Sequence, residues 1–278
     1  MTTIYGIEFD YVKFGTEDDD TLNGDNGNGF INGFDGSDTM IGFGGGDLIL
    51  GDNIPLEDYF DVDSQAFQDT VSTLYQSIQG KDFSGTTPSD VEYALTGIQD
   101  FLIENQNLLT LLATQGDDDT LIGGAGNDIL CGGAGDDVVR GGTGQDILIG
   151  LAGDNVLLGG DGDDVIVGGI GNDRSFGDTG NDFLIGTSGS DLYFGGEGAD
   201  YFIFTTLLDG AVSKDRIVDF EQGVDKVVLF NVANSFEDLK ITQRGPTVEL
   251  QIGEEHSIVL NNSQLDEFSS DDFMFYNS

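Results

Sequence analysis

Residues Gly123–Gly150 read GGAGNDILCGGAGDDVVRGGTGQDILIG, and the nine-residue pattern Gly-Gly-x-Gly-x-Asp-x-apolar-x recurs in them without a gap. The frame continues to Ile203, with units beginning at Gly123, Gly132, Gly141, Gly150, Gly159, Gly168, Gly177, Gly186 and Gly195. A weaker unit, TQGDDDTLI, precedes them at Thr114, and four more begin at Gly15, Gly24, Gly33 and Gly42, which makes fourteen. Position six is aspartate in twelve: Asp20, Asp38, Asp47, Asp119, Asp128, Asp137, Asp146, Asp164, Asp173, Asp182, Asp191 and Asp200. Gly29 and Asn155 depart from this rule. Position eight is apolar in thirteen units, from Leu22 to Phe202, with Ser175 the exception.

Glycine permits positive φ and close backbone approach, so the first six positions predict a turn. The last three predict a short strand whose middle side chain points inward. One such strand buries nothing by itself. Two units closing a coil, and coils stacked on one another, bury a continuous ladder of position-eight side chains. The turns then stack as well, bringing carboxylates and main-chain carbonyls into rows. Stacked carboxylates repel unless a hard cation lies between them, and calcium accepts about six to eight oxygen ligands in flexible geometry.

The charge balance agrees with a need for cations. The 278-residue chain has 9 Lys and Arg against 52 Asp and Glu, a formal charge of −43. That makes nucleic acid and an anionic membrane poor partners, since both require a basic surface. The single cysteine, Cys131, rules out an internal disulfide. The start, MTTIYGIEFDYVKFG, lacks the pattern of a cleaved signal peptide, and no apolar run is long enough to span a membrane. No zinc-protease helix or nucleophile elbow is present. The lone histidine, His256 in GEEHSIV, is expected as a solvated residue at a strand edge, and Cys131 as a small strand residue. Calcium ligands must stay ionised, which suits them poorly to acid catalysis. No catalytic site and no enzymatic activity are expected.

The nonapeptide resembles the calcium-binding repeat of the hemolysin-type, repeats-in-toxin (RTX) proteins. The resemblance implies a mainly β fold, a right-handed parallel β-roll, with several Ca²⁺ ions held between successive turns. It makes the twelve position-six aspartates the side-chain ligands. Turn carbonyls such as those of Gly124, Gly126, Gly133, Gly135, Gly142, Gly144, Gly160, Gly162, Gly169 and Gly171 complete the shell. Asp18 and Asp117 replace glycine at position four of the first unit of each array, marking end units.

Positions seven and nine should point away from the core, alternate units sharing a side. One side carries Ile129, Cys131, Ile147, Ile149, Val165, Val167, Phe183, Ile185, Tyr201 and Ile203. A sheet face so uniformly apolar is expected to be covered. The other side mixes in Thr120, Arg140 and Arg174. Between the arrays the nine-residue period gives way to helical spacing at Phe67, Val71, Leu74 and Ile78, and again from Val91 to Leu112. These stripes predict an inserted α-helical hairpin. After Tyr201 glycine thins and short alternating strands follow, as in DRIVDF, DKVVLF, TVELQI and DDFMFY. This part resembles the C-terminal region that follows the repeats in proteins exported by the bacterial type I pathway, where the signal is C-terminal and uncleaved.

The expected organisation is therefore an N-terminal cap and first array (1–50), a helical hairpin insertion (51–113), the main β-roll (114–203) and a C-terminal β cap with the secretion signal (204–278). The two arrays are expected to form one roll, interrupted in a turn. The expected function is that of a secreted bacterial calcium-binding protein, extracellular or on the cell surface, that folds on meeting calcium outside the cell. Its partners would be the type I secretion machinery and an unknown surface, matrix or host partner, for a structural, adhesive or effector-binding role. Two alternatives are an accessory β-roll module for a polysaccharide-acting enzyme, and a small membrane-active effector using the helical hairpin.

Overall fold

A computed structural model of the chain describes residues 2–4, 7–51, 116–205, 213–230, 235–252, 256–261 and 263–276. The helical hairpin expected within 51–113 lies outside the described residues, apart from Gly51. A short antiparallel pair, β1 (Thr2–Ile4) and β2 (Ile7–Phe9), opens the chain. From there each nonapeptide supplies one strand, and successive strands go to opposite sheets.

The ten-stranded sheet runs, in chain order, through β3 (Tyr11–Phe14), β5 (Gly29–Asn32), β7 (Leu48–Leu50), β9 (Ile129–Ala134), β11 (Ile147–Ala152), β13 (Val165–Ile170), β15 (Phe183–Gly186), β17 (Tyr201–Thr205), β19 (Lys226–Phe230) and β23 (Phe273–Tyr276). All its pairings are parallel. The eleven-stranded sheet runs through β4 (Thr21–Asn23), β6 (Thr39–Gly44), β8 (Thr120–Ala125), β10 (Val138–Thr143), β12 (Val156–Asp161), β14 (Arg174–Thr179), β16 (Leu192–Glu197) and β18 (Lys214–Ile217). It ends on β22 (His256–Asn261), β21 (Thr247–Ile252) and β20 (Lys240–Arg244), and only these last three pair antiparallel to one another.

The two arrays form one roll. Strand β6 pairs in parallel with β8, and β7 with β9, with Met40 opposite Leu121 and Ile49 opposite Leu130. The interruption falls inside a single turn. Gly51 stands where a unit's first glycine belongs, and a Cβ added to it would overlap the Oδ2 of Asp119, as at the first glycine of intact units. The hydrogen-bonded partners across the break lie 81 residues apart, against 18 at the other levels of the nonapeptide frame.

Most strands within the main array are longer than the three residues expected. Strands such as β8 and β10 are six residues long, running from position seven of one unit to position three of the next. Pairing skips position one and resumes at position two, as in Gly142 opposite Gly124. The first three positions are therefore strand with a bend, and only positions four to six form the turn. Position two has positive φ, about a hundred degrees or more at its glycines. Phe34, Phe43, Leu151 and Asp178 hold the same position at φ 74–80°, a conformation that costs a side-chain-bearing residue roughly 1–2 kcal/mol.

Position-eight side chains fill the interior. Ile31, Met40, Ile49, Leu121, Leu130, Val139, Leu148, Leu157 and Ile166 form one fully buried ladder. The ladder passes through the small Ser175, opposite Tyr193 in register, into an aromatic-rich core shared with the C-terminal strands. That core includes Tyr193, Phe202, Phe204, Phe220, Val248, Ile258 and Phe273. On the ten-stranded sheet the outward Ile129, Cys131, Val165, Val167, Phe183, Ile185 and Ile203 are buried, while Ile147, Ile149 and Tyr201 are partly buried. On the eleven-stranded sheet the outward residues of the repeat units are at least partly exposed, with Thr21, Asn23, Arg140 and Arg174 the most open. His256 is not a solvated edge residue: β22 lies between β18 and β21, and the ring Nδ1 lies 2.9 Å from the Ser213 hydroxyl.

Candidate metal centre

The roll carries its aspartates in two columns, one along each row of turns. The first contains Asp20, Asp38, Asp119, Asp137, Asn155, Asp173 and Asp191. The second contains Gly29, Asp47, Asp128, Asp146, Asp164, Asp182 and Asp200. At each level the main-chain N–H of position six donates to the Oδ1 of the position-six side chain one turn further on, at 2.6–2.9 Å. The ladder fixes every carboxylate in one orientation. It also continues beyond the nonapeptide frame: Asp191 N–H donates to Asp215 and Asp200 N–H to Asp225, both at 3.0 Å.

The second carboxylate oxygen is where the arrangement becomes chemical. Oδ2 of Asp38, Asp47, Asp119, Asp128, Asp137, Asp146, Asp164, Asp173, Asp182 and Asp200 is buried without a hydrogen-bond partner. Each of these residues is at most 2% exposed. A buried anionic oxygen without a donor is costly, so a cation or a proton must compensate it. Burial, reinforced in most cases by neighbouring carboxylates, pushes the acids up to about 9 at Asp164, about 8 at Asp128, Asp182 and Asp191, and about 7 at Asp146 and Asp200. Burial raises Asp47 and Asp173 to about 6.

Main-chain oxygens supply the other half of the site. No group of three or more His, Cys, Asp or Glu side chains converges among the described residues. A cation at an Oδ2 must therefore draw most of its shell from carbonyls. The carbonyls named from the sequence stack turn upon turn. A Cβ on Gly144 would overlap the Gly126 carbonyl, one on Gly142 that of Gly124, and one on Gly162 that of Gly144. A rigid cradle of neutral carbonyls with one fixed carboxylate oxygen per level is an oxygen-only, hard-ligand environment, which fits calcium and does not fit a soft metal.

The description "RTX calcium-binding nonapeptide repeat" matches the chain in four copies, over residues 14–52, 111–139, 140–175 and 167–202. This chain is an RTX calcium-binding nonapeptide repeat β-roll. Its RTX repeats and stacked aspartate columns imply multiple Ca²⁺ sites. Among solved structures, the RTX roll is similar to the AlgE6R3 subunit of the Azotobacter vinelandii mannuronan C5-epimerase, at 27% identity over 44% of this chain and 78% of that one, with a TM-score of 0.35. It is also similar to the extracellular lipase LipA from Serratia marcescens, at 16% identity over 90% of this chain and 39% of that one, with a TM-score of 0.28. No curated protein matches the chain.

Two lapses in the repeat have local explanations. At Gly29 the missing side chain is replaced by Tyr11, whose ring a Cβ on Gly29 would overlap. The Tyr11 hydroxyl donates to Asp47 Oδ1 at 2.9 Å and to the Gly42 carbonyl at 3.1 Å. At Asn155 the amide keeps the ladder bond through Oδ1, while Nδ2 donates to the Gly153 carbonyl at 3.1 Å. Position five forms a second ladder that the repeat pattern had not revealed. Its side chains accept from the N–H one turn on, as from Asp118 to Asp136 to Asp154 to Asn172.

Proposed function

We propose that this RTX roll is a secreted protein whose folding is switched on by extracellular calcium, and that it acts by binding or by building a surface or matrix rather than by catalysis. The observation that carries this reading is the set of ten buried Oδ2 atoms without a hydrogen-bond partner. Where calcium is scarce the columns can be neutralised at neutral pH only by taking up protons, at a cost in free energy, and the glycine-rich chain loses too much entropy on folding to tolerate that cost. An extended chain suits passage through a narrow export channel. Outside, extracellular calcium modules bind at about 10⁻⁴–10⁻³ M, and binding energy becomes folding energy. On this reading the C-terminal strands that continue both sheets also carry an uncleaved type I export signal. The partner is a surface, matrix or host component. Far-UV circular dichroism of the whole chain, stripped of metal and titrated with CaCl₂ against MgCl₂, tests the reading. A cooperative gain of β signal with calcium alone supports it; a full β spectrum at neutral pH in EDTA would remove it.

A further inference from the structure

The two carboxylate columns follow one repeat, yet the chain treats them differently. In the second column all six aspartates, Asp47 to Asp200, have an unpartnered Oδ2. In the first column three of seven levels are satisfied by the protein itself. Thr16 donates to Asp20 Oδ2 from both its N–H and its hydroxyl, each at 2.8 Å. Asn155 presents an amide nitrogen to the Gly153 carbonyl in place of a carboxylate oxygen. The Tyr193 phenol, fully buried, donates to Asp191 Oδ2 at 2.9 Å, and the Thr187 hydroxyl donates to the Gly169 carbonyl.

The first glycine of each unit reports what stands in the cradle. In the ten levels with an orphan oxygen, a Cβ on that glycine would overlap the Oδ2 of the same level. On Gly150 it would meet Asn155 Nδ2 instead, and on Gly186 the Tyr193 hydroxyl. At both levels a hydrogen-bond donor occupies the position from which a carboxylate oxygen would reach a cation. A donor there does the cation's work: it compensates the acceptor, and it brings a proton where the ion would sit.

We infer that the two columns load calcium unequally, with an unbroken row along Asp47–Asp200 and, on the other side, a short row at Asp38–Asp137 and a separate site at Asp173, divided by the Asn155 amide and closed by the Tyr193 hydroxyl. This rests on the calcium-dependent reading above. Calcium bound per folded chain, measured by equilibrium dialysis with elemental analysis on the full-length protein, tests it. Asn155→Asp and Tyr193→Phe should each raise the stoichiometry by one ion, with the β spectrum in calcium unchanged. In the opposite direction, Asp164→Asn should lower it by at least one, and Asp191→Asn should leave it unchanged. The asparagine variants keep the Oδ1 acceptor and mimic Asn155, so they remain informative if a gain-of-site variant fails to fold. Equal loss in Asp164→Asn and Asp191→Asn, or no gain in either folded gain-of-site variant, would overturn the inference. A wild-type chain that binds no calcium would instead overturn the reading on which it rests.

Discussion

Acid should substitute for calcium. Take the five consecutive carboxylates of the unbroken column, Asp128, Asp146, Asp164, Asp182 and Asp200, with pKa values raised from 3.8 to about 7–9 by burial. A group whose folded pKa is raised contributes no penalty below its unfolded value, a growing one as pH rises from the unfolded to the folded value, and a constant one above that. At pH 7 each of these groups costs the metal-free roll about 4 kcal/mol, at about 1.4 kcal/mol per pH unit. Several such costs together rival the roughly 5–15 kcal/mol that holds a typical domain folded. At pH 4.5 the same five cost about 5 kcal/mol in total. The chelated protein should therefore lack the β-roll at pH 7 and regain it near pH 4.5. Far-UV circular dichroism of a dilute, metal-stripped sample across that range reads the change, with sedimentation velocity to confirm that the acid form is monomeric. A coil spectrum that persists at pH 4.5, or a pH-independent β spectrum, would refute the argument that carboxylate burial controls folding.

Near pH 4.5, where the chelated roll is folded with Asp128, Asp164 and Asp182 protonated, calcium binding should release protons; titration calorimetry in buffers of differing ionisation enthalpy counts them. Leu148→Ala, in the fully buried inner ladder, should cost about 2–5 kcal/mol, read as a lower urea midpoint at saturating calcium. Phe43 is half exposed at φ 80°, so Phe43→Gly should relieve backbone strain and leave the calcium-loaded roll unchanged or up to about 1 kcal/mol more stable in the same assay. A loss of more than 1 kcal/mol there would show that the Phe43 ring makes a contact the strain argument omits.

The parts of this protein that obey the nine-residue period were legible in the sequence. Position-eight side chains such as Leu121 and Leu148 point inward because strand geometry allows nothing else once the register is set. Asp128 and Asp146 stack for the same reason. What escaped depends on contacts between units that share no period. Asp215 and Asp225 join the ladders 24 and 25 residues beyond their neighbours, outside the frame. Tyr11 replaces a side chain absent at Gly29 from a strand 18 residues earlier, and Tyr193 looks from the sequence like one more core residue. The six-residue strands also escaped, because glycine pairs in parallel as readily as it turns, as at Gly124 and Gly142. The position-five ladder did leave a trace, a series of Asp and Asn from Asp118 to Asn181 broken only by Gln145, which becomes meaningful only once the hydrogen-bond direction is known.

The seam between β6 and β8 sets an order of events. Every other pairing within the main array joins residues 18 apart, but Asp38 and Asp47 reach partners 81 residues on. Closing a span just over two doublings longer costs about 1.3 kcal/mol of extra chain entropy. The four N-terminal units are too few to nucleate cheaply by themselves, whereas the opposite end has the aromatic core of Tyr193, Phe202, Phe220 and Phe273. Assembly should therefore start at the C-terminal end, zip toward Thr120 one coil at a time, and dock the N-terminal array last, onto a template already finished.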